Sequence, residues 1–110
     1  MLDHAAEVAR QFESFGAYGR SRVKARAALR RRAPGFSNEQ YGRAIAKATT
    51  LFSSAREIAS ANEAELINLS RVRGTTWGSY PHLLRAAVPG FPLRTYEWVI
   101  AWVVYWYHLR

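Results

Sequence analysis

The feature that most constrains this chain is a stretch of sequence that recurs 55 residues later. Residues 29–37 are LRRRAPGFS and residues 84–92 are LRAAVPGFP. Three more identities follow at the same offset: Tyr41 and Tyr96, Ile45 and Ile100, and Ala46 and Ala101. Eight of the 18 aligned positions are identical. The repeat predicts a helix, a Pro-Gly-Phe turn and a second helix in each half of the chain.

Helix signals dominate the rest of the sequence. Alternation of apolar and polar residues is absent, and no Asn-Gly or Asp-Gly hairpin turn occurs. We therefore predict an all-α fold, a compact bundle of four to six helices with two helix–Pro-Gly-Phe–helix corners. The 110 residues are expected to form a single domain, 1–110, with pseudo-repeat halves of roughly 1–55 and 56–110.

The clearest helix start follows the first Pro-Gly-Phe turn. Ser37 and Gln40 have the spacing of a capping box, and Phe36 and Tyr41 have the spacing of a hydrophobic staple. In the second copy Pro92 replaces Ser37, so no side-chain cap is expected there.

The remaining helix boundaries follow from apolar spacing and from turn residues. The helix after Ser37 is predicted to continue to Gly74, with a break near Ala61–Asn62 as the open alternative. Other helices are expected over about 3–15, 21–33, 79–88 and 93–110. The residues expected to lie on the apolar side of the 79–88 helix are Tyr80, Leu83, Leu84 and Ala87.

The net charge of +8 is concentrated in one segment. Residues 18–33 contain no acid and seven cations, namely Arg20, Arg22, Lys24, Arg26, Arg30, Arg31 and Arg32. A spacing of four places Arg22, Arg26 and Arg30 on one face of a helix, and arginine favours forked contacts with phosphate. This segment predicts a nucleic-acid-binding site. The alternative is a solvated face that keeps the protein soluble.

A second, looser group of cations comprises Arg71, Arg73, Arg85 and Arg94, of which the first three are the candidate binding residues. These arginines flank Trp77 and Tyr80, and cations beside aromatic rings suit single-stranded nucleic acid because bases stack on the rings. In the alternative interpretation, which we favour, the two aromatic residues close the core at the junction of the repeats.

The last helix is apolar on nearly every side. Its longest apolar run, residues 98–107, is ten residues long, whereas a membrane span needs about twenty. No membrane partner is therefore expected. The candidate residues for an interface with protein subunits or with a second copy are Trp98, Trp102, Tyr105 and Trp106. Burial of the whole helix within its own fold is the open alternative.

Catalytic signals are lacking. His4, His82 and His108 do not have metal-ligand spacing, and no glycine-rich phosphate loop or nucleophile elbow occurs. We expect no enzyme activity, no cofactor and no metal. The chain has no cysteine, and its first residues lack the pattern of a signal peptide, so a cytoplasmic location is expected.

These features favour a non-catalytic basic protein that binds the backbone of RNA or DNA within a larger assembly. In size, helical character and basic face, the chain resembles the small subunit of CRISPR effector complexes. That resemblance implies a subunit of a ribonucleoprotein that contacts a nucleic-acid strand without reading its bases. The alternative is a protein-binding inhibitor or adaptor of phage or plasmid type that acts on a host nucleic-acid machine. A third hypothesis is a DNA-recognition helix that reads bases through Asn38, Gln40 and Arg43.

Overall fold

The computed structural model describes residues 1–14, 22–72 and 77–109, with their side chains except those of 12–14 and 22. These residues form six α-helices and no strand, which confirms the all-α prediction. The elements are α1 (Leu2–Ser14), α2 (Arg22–Arg32), α3 (Asn38–Ala61), α4 (Glu63–Ser70), α5 (Tyr80–Ala87), α6 (Leu93–Val104) and a π-helical turn (Tyr105–Leu109). The chain divides into two compact units, Met1–Thr50 and Leu51–Arg110, and α3 contributes to both. A single cooperative domain over 1–110 stays a prediction.

The first unit has a core built largely from small side chains. In this unit α1 and α2 contact one another. Its buried residues are Ala5, Ala6, Val8, Ala9, Ala25, Leu29, Tyr41, Ala44, Ile45 and Ala48. Because most of these are alanine, Leu29 and Tyr41 supply much of the buried apolar volume.

The second unit has a core of larger residues centred on α6, which contacts α4 and α5. Its buried residues include Leu51, Phe52, Ala55, Ala59, Leu66, Tyr80, Pro81, Leu84, Val88, Phe91, Tyr96, Val99, Ile100, Val103 and Val104. The predicted apolar side of α5 is wrong at Leu83 and Ala87, which are exposed. Pro81, which the apolar spacing did not include, is buried. Pro81 lies in the first turn of α5, where its missing N–H leaves no helical hydrogen bond unmade.

The predicted continuous helix from Asn38 to Gly74 is wrong, and the alternative break at Ala61–Asn62 is correct. α3 ends at Ala61 and α4 begins at Glu63. Asn62 occupies the N-cap position of α4, but its side chain makes no capping bond there. Its amide donates instead to the carbonyl of Ile58 at 2.9 Å. It thereby satisfies one of the carbonyls that the end of α3 leaves unpaired.

The first Pro-Gly-Phe corner has the capping contacts that the sequence predicts. The Gln40 N–H donates to Ser37 Oγ at 3.1 Å, and the Ser37 N–H donates to Gln40 Oε1 at 2.8 Å. The rings of Phe36 and Tyr41 meet edge to face, with centroids 6.0 Å apart. At the second corner Pro92 makes no side-chain cap, also as expected.

In the first corner, a tyrosine hydroxyl closes the turn. The Tyr41 hydroxyl donates to the carbonyl of Ala33 at 2.7 Å and accepts from the N–H of Phe36 at 3.2 Å. Gly35 has a φ of +99°, a conformation that residues with a side chain rarely adopt. One side chain thus satisfies two backbone groups where the chain reverses between helices.

The second corner repeats this arrangement. The Tyr96 hydroxyl donates to the carbonyl of Val88 at 2.6 Å and accepts from the N–H of Phe91 at 3.1 Å. Gly90 has a φ of +111°, and the Phe91 and Tyr96 ring centroids are 5.9 Å apart. The two corners therefore share one hydrogen-bonding pattern, although duplication of the whole halves stays a prediction.

The two corners differ in how far their phenylalanines are covered. Phe36 is 44% exposed, whereas Phe91 is 6% exposed. Six pairs of buried positions match at the 55-residue offset: Ala25 and Tyr80, Leu29 and Leu84, Tyr41 and Tyr96, Ala44 and Val99, Ile45 and Ile100, and Ala48 and Val103. Other positions differ, since Val88, Thr95 and Val104 are buried while Ala33, Gln40 and Thr49 are not. The second corner thus lies in a drier environment than the first.

Gly42 gives a stability prediction that does not depend on function. This glycine lies inside α3, and a Cβ there would meet no atom within 4 Å. Because glycine loses more conformational freedom than alanine, Gly42→Ala should raise the free energy of unfolding by about 0.5–1 kcal/mol. Urea denaturation followed by circular dichroism measures this change. Gly35→Ala should instead lower the free energy of unfolding. An added Cβ there would also meet no atom within 4 Å, but alanine is strained at a φ of +99°. Destabilisation by Gly42→Ala would contradict the prediction.

Candidate nucleic-acid interface

α2 is a rod that presents cations to solvent. Its 11 residues rise about 16 Å along the axis. Ala25 and Leu29 are its buried residues among those whose side chains are described. Lys24, Arg30, Arg31 and Arg32 are exposed, and Arg26 is half-buried. The structure therefore brings five of the predicted binding residues together on one helix.

The cations of α2 lie on two flanks of its exposed side. At 100° per residue, Arg26 and Arg30 fall on one flank, and Lys24 and Arg31 fall on the other. Val23 and Ala27 lie between the two flanks. Val23 is 71% exposed, so an apolar strip separates the two groups of charge. Arg22 belongs to α2 but its side chain is not described, and Arg20 lies outside the described residues.

Arg30 is held in position by two contacts. Its guanidinium donates to the Asn38 side-chain oxygen and lies 5.3 Å from the centroid of the Tyr41 ring. The Tyr41 ring is fixed by its hydroxyl contacts at the corner. Arg30 is therefore oriented by α3 before any ligand arrives, which reduces the conformational entropy lost on binding.

The positive charge of α2 is not neutralised by the carboxylates that the structure describes. Among the side chains that the structure describes, those of residues 1–11, 23–72 and 77–109, no carboxylate pairs with Lys24, Arg26, Arg31 or Arg32. The nearest acid in sequence, Glu39, lies past the corner at the start of α3. Exposed like charges on one rod create a positive potential that attracts polyanions.

The second group of cations lies in the other unit. Arg71 and Arg85 are exposed. The Nη2 atom of Arg85 lies 3.2 Å from Nδ1 of His82. Arg73 lies outside the described residues. Trp77 is half-buried, with a φ of +64°.

Tyr80 belongs to the core and offers no stacking surface. It is buried, and its hydroxyl donates to Glu65 Oε2 at 2.6 Å. The hydrogen bond to Glu65, then burial and the charge of Glu65, raise the pKa of Tyr80 above its ordinary value. Arg71 and Arg85 thus lack the tyrosine partner that binding of single strands would require of them.

The C-terminal tryptophans pack largely on residues of their own unit. Phe52 contacts Trp98 and Trp102, with ring centroids 6.0 Å and 5.4 Å away. Trp102 also stacks on Trp106 at 5.5 Å, with an interplanar angle of 9°. All three tryptophans are half-buried, whereas Tyr105 is 57% exposed. A protein interface at these residues stays a prediction, and Tyr105 is the member that is mainly exposed.

The π-helical turn is tied to α3 and α4. The guanidinium of Arg56 lies 5.6 Å from the Tyr107 ring centroid and donates to its hydroxyl at 3.4 Å. His108 Nδ1 lies 3.3 Å from Glu63 Oε1. These contacts fix the last turn, so Tyr105 projects from an anchored element.

The hypothesis of a DNA-recognition helix loses two of its three side chains. Asn38 accepts a hydrogen bond from Arg30, and Gln40 is engaged by Ser37 in the capping box. Arg43 is exposed. A helix that reads bases needs several polar side chains available to base edges. In the first turn of α3, Asn38 and Gln40 are bonded to Arg30 and Ser37 instead.

Sites of other kinds are not found in the part of the chain that the structure describes. No three histidine or acidic side chains there lie close enough to hold a metal ion. Crossing a bilayer would require a longer and more apolar helix than any within the described residues. Comparisons with protein-family models, with curated proteins and with solved structures give no match to this chain.

Proposed function

We propose that this chain is a non-catalytic protein that binds the sugar-phosphate backbone of nucleic acid through α2. The observation that carries the proposal is the row of exposed cations on α2. Among the side chains that the structure describes, no carboxylate pairs with Lys24, Arg31 or Arg32. Arginine is the chief cation of this row, and its guanidinium forms paired hydrogen bonds with phosphate.

Binding of this kind is electrostatic and carries little sequence information. Contacts to phosphates fix the position of a protein on the strand, whereas contacts to base edges read its sequence. The exposed side chains of α2 are arginines, one lysine and short apolar residues. We therefore infer affinity for many sequences, and a strong dependence on salt.

We further propose that the chain acts as one subunit of a larger nucleoprotein assembly, such as a CRISPR effector complex. Support comes from the anchored C-terminal turn, which exposes Tyr105, Tyr107 and Leu109. Aromatic and aliphatic side chains exposed together on a rigid element are typical of subunit interfaces. The basic helix would then face the nucleic acid while the C-terminal turn contacts a neighbouring subunit.

Charge reversal on α2 tests the proposal. Lys24→Glu, Arg31→Glu and Arg32→Glu together should weaken binding of a fluorescent oligonucleotide roughly 100-fold at low salt, because three phosphate contacts become repulsions. The slope of log affinity against log salt should fall by about 2 on a single strand, at about 0.7 per lost contact. Fluorescence anisotropy at several salt concentrations measures both quantities, and circular dichroism checks that the variant folds.

A second triple variant separates a site from net charge. Arg43→Glu, Arg71→Glu and Arg85→Glu changes the formal charge equally at exposed positions outside α2. The proposal requires a much smaller loss of affinity in this variant. Equal losses of affinity in both variants would mean that binding depends on the net charge of the protein and not on a site at α2. If reversal on α2 perturbs folding, the corresponding glutamine variant gives the same comparison, since glutamine is a good helix former.

The adaptor hypothesis predicts a different result. An acidic protein partner would stay bound to the immobilised chain after the sample is treated with nuclease. Loss of all bound material on nuclease digestion, with recovery when an oligonucleotide is added back, supports the nucleic-acid proposal. Retention of a protein partner by wild type, together with no oligonucleotide binding, would overturn it.

A further inference from the structure

A groove lies between α2 and the first turns of α3, entirely within the first unit. Its volume is about 530 Å³. Val23, Arg26, Ala27 and Arg30 line it from α2, and Asn38, Glu39 and Gly42 line it from α3. It therefore lies along the Arg26–Arg30 flank of the basic helix, on the side that faces the corner.

The groove has both a cationic and an apolar surface, whereas binding a phosphate backbone alone requires only the cations. Arg26 and Arg30 supply cations, and Arg30 is already oriented by Asn38 and the Tyr41 ring. Val23, Ala27 and Gly42 supply an apolar surface next to these cations. A ligand that matches both has an anionic group attached to a body with an apolar face. A nucleotide with an unpaired base has this chemistry.

Gly42 has no local structural requirement to be glycine. Its φ is outside the left-handed region, and a Cβ there would meet no atom within 4 Å. Glycine inside a helix destabilises that helix relative to alanine. The glycine keeps the groove wide, because any side chain at this position would enter it.

Glu39 sets the direction in which such a ligand lies. Glu39 lines the α3 side of the groove, and its negative charge repels a phosphate placed near it. The phosphate is therefore favoured at the Arg26–Arg30 wall. The base then lies against Val23, Ala27 and Gly42, within reach of Glu39, whose carboxylate can accept from an N–H of the base.

We propose that this groove binds one unpaired nucleotide of a single strand, with its phosphate on Arg26 and Arg30 and its base against Val23, Ala27 and Gly42. The inference rests on the proposed function and refines it: the strand that runs along α2 is single-stranded. In a duplex every base is stacked and paired, so none can enter a groove of this size without being flipped out.

The test compares strands with and without bases. The probes are a fluorescent twelve-nucleotide oligothymidylate and an abasic strand of the same length and charge. Wild type should bind the oligothymidylate roughly 10-fold more tightly than the abasic strand, because burying the face of one base against apolar side chains contributes about that much. Equal affinity for the two strands would overturn the groove proposal, while the backbone proposal would still stand.

Filling the groove without changing its charge gives a second, independent measurement. Gly42→Leu places a good helix former in the groove and should reduce oligothymidylate binding to the level of the abasic strand. Ala46→Leu adds the same side chain at an exposed α3 position that does not line the groove, and it should leave binding unchanged. Unchanged oligothymidylate binding by a folded Gly42→Leu variant would overturn the inference.

The two proposals fail in different ways. If reversal of Lys24, Arg31 and Arg32 leaves binding intact, the proposed function is wrong. If that reversal weakens binding as expected but Gly42→Leu has no effect, α2 binds the backbone and no base enters the groove.

Discussion

Tyr96→Phe is expected to lower the free energy of unfolding by about 3 kcal/mol. The Tyr96 side chain is fully buried, and its hydroxyl satisfies the carbonyl of Val88 and the N–H of Phe91. Phenylalanine leaves both backbone groups without this partner in a dry environment, where each unsatisfied group costs about 1–3 kcal/mol. Urea denaturation followed by far-ultraviolet circular dichroism measures the change.

Tyr41→Phe is the matched control, because Tyr41 makes the same two contacts at the first corner. Phe36 is 44% exposed there, so water can replace part of the hydrogen bonding that the Tyr41 hydroxyl provides to the backbone. We expect a loss of about 1 kcal/mol, near the value of an ordinary hydrogen bond. A larger loss at Tyr41 than at Tyr96 would contradict the argument from burial.

The same pair of variants tests the prediction of a single domain. Tyr41 lies in the unit Met1–Thr50 and Tyr96 in the unit Leu51–Arg110. If the chain unfolds as one cooperative domain, both substitutions lower the midpoint of one shared transition. Two transitions, each shifted by only one of the substitutions, would mean that the units unfold separately.

Phe52→Ala is expected to lower the free energy of unfolding by about 3–5 kcal/mol, which is the usual range for deleting a buried phenylalanine. Phe52 is 1% exposed, and its ring contacts Trp98 and Trp102. Its loss leaves a cavity beneath the half-buried tryptophans. We also expect a change in tryptophan fluorescence in the native state, because Trp98 and Trp102 lose the ring that they contact.

Leu83→Ala is the control for this prediction, since Leu83 lies in the same unit and is 50% exposed. Its effect should stay within about 0.5 kcal/mol. A comparable loss of stability in both variants would show that Phe52 is not a principal core residue. An unchanged fluorescence spectrum in Phe52→Ala would show that its tryptophan contacts are absent in solution.

The local structure of the corners could be predicted because its causes are local. Ser37 and Gln40 cap α3 through contacts within one helical turn, and the Pro-Gly pair ends the preceding helix whatever lies around it. The role of the Tyr41 and Tyr96 hydroxyls was missed. The sequence does contain a signal for it, since tyrosine follows phenylalanine by five residues in both copies. Apolar spacing predicts the packing of the rings but not the hydrogen bonds of the hydroxyls.

The break between α3 and α4 could not be predicted from apolar periodicity. Apolar residues recur on both sides of Asn62, so the pattern is equally compatible with a continuous helix. Tertiary contacts decide between the two: Leu66 is buried in the second unit, and α4 contacts α6. The interruption at Asn62 satisfies a carbonyl of α3 through the Asn62 amide, so little hydrogen bonding is lost there.

The sequence by itself determined the helical class, the two corners and the concentration of positive charge on one helix, because capping, turn formation and charge depend on neighbouring residues. Only the tertiary structure decided that Phe91 is covered and Phe36 exposed, that Tyr80 belongs to the core, and that Arg30 is oriented by Asn38. Burial and pairing depend on residues distant in sequence. Two copies of nearly the same segment can therefore differ in exposure while keeping the same hydrogen bonds.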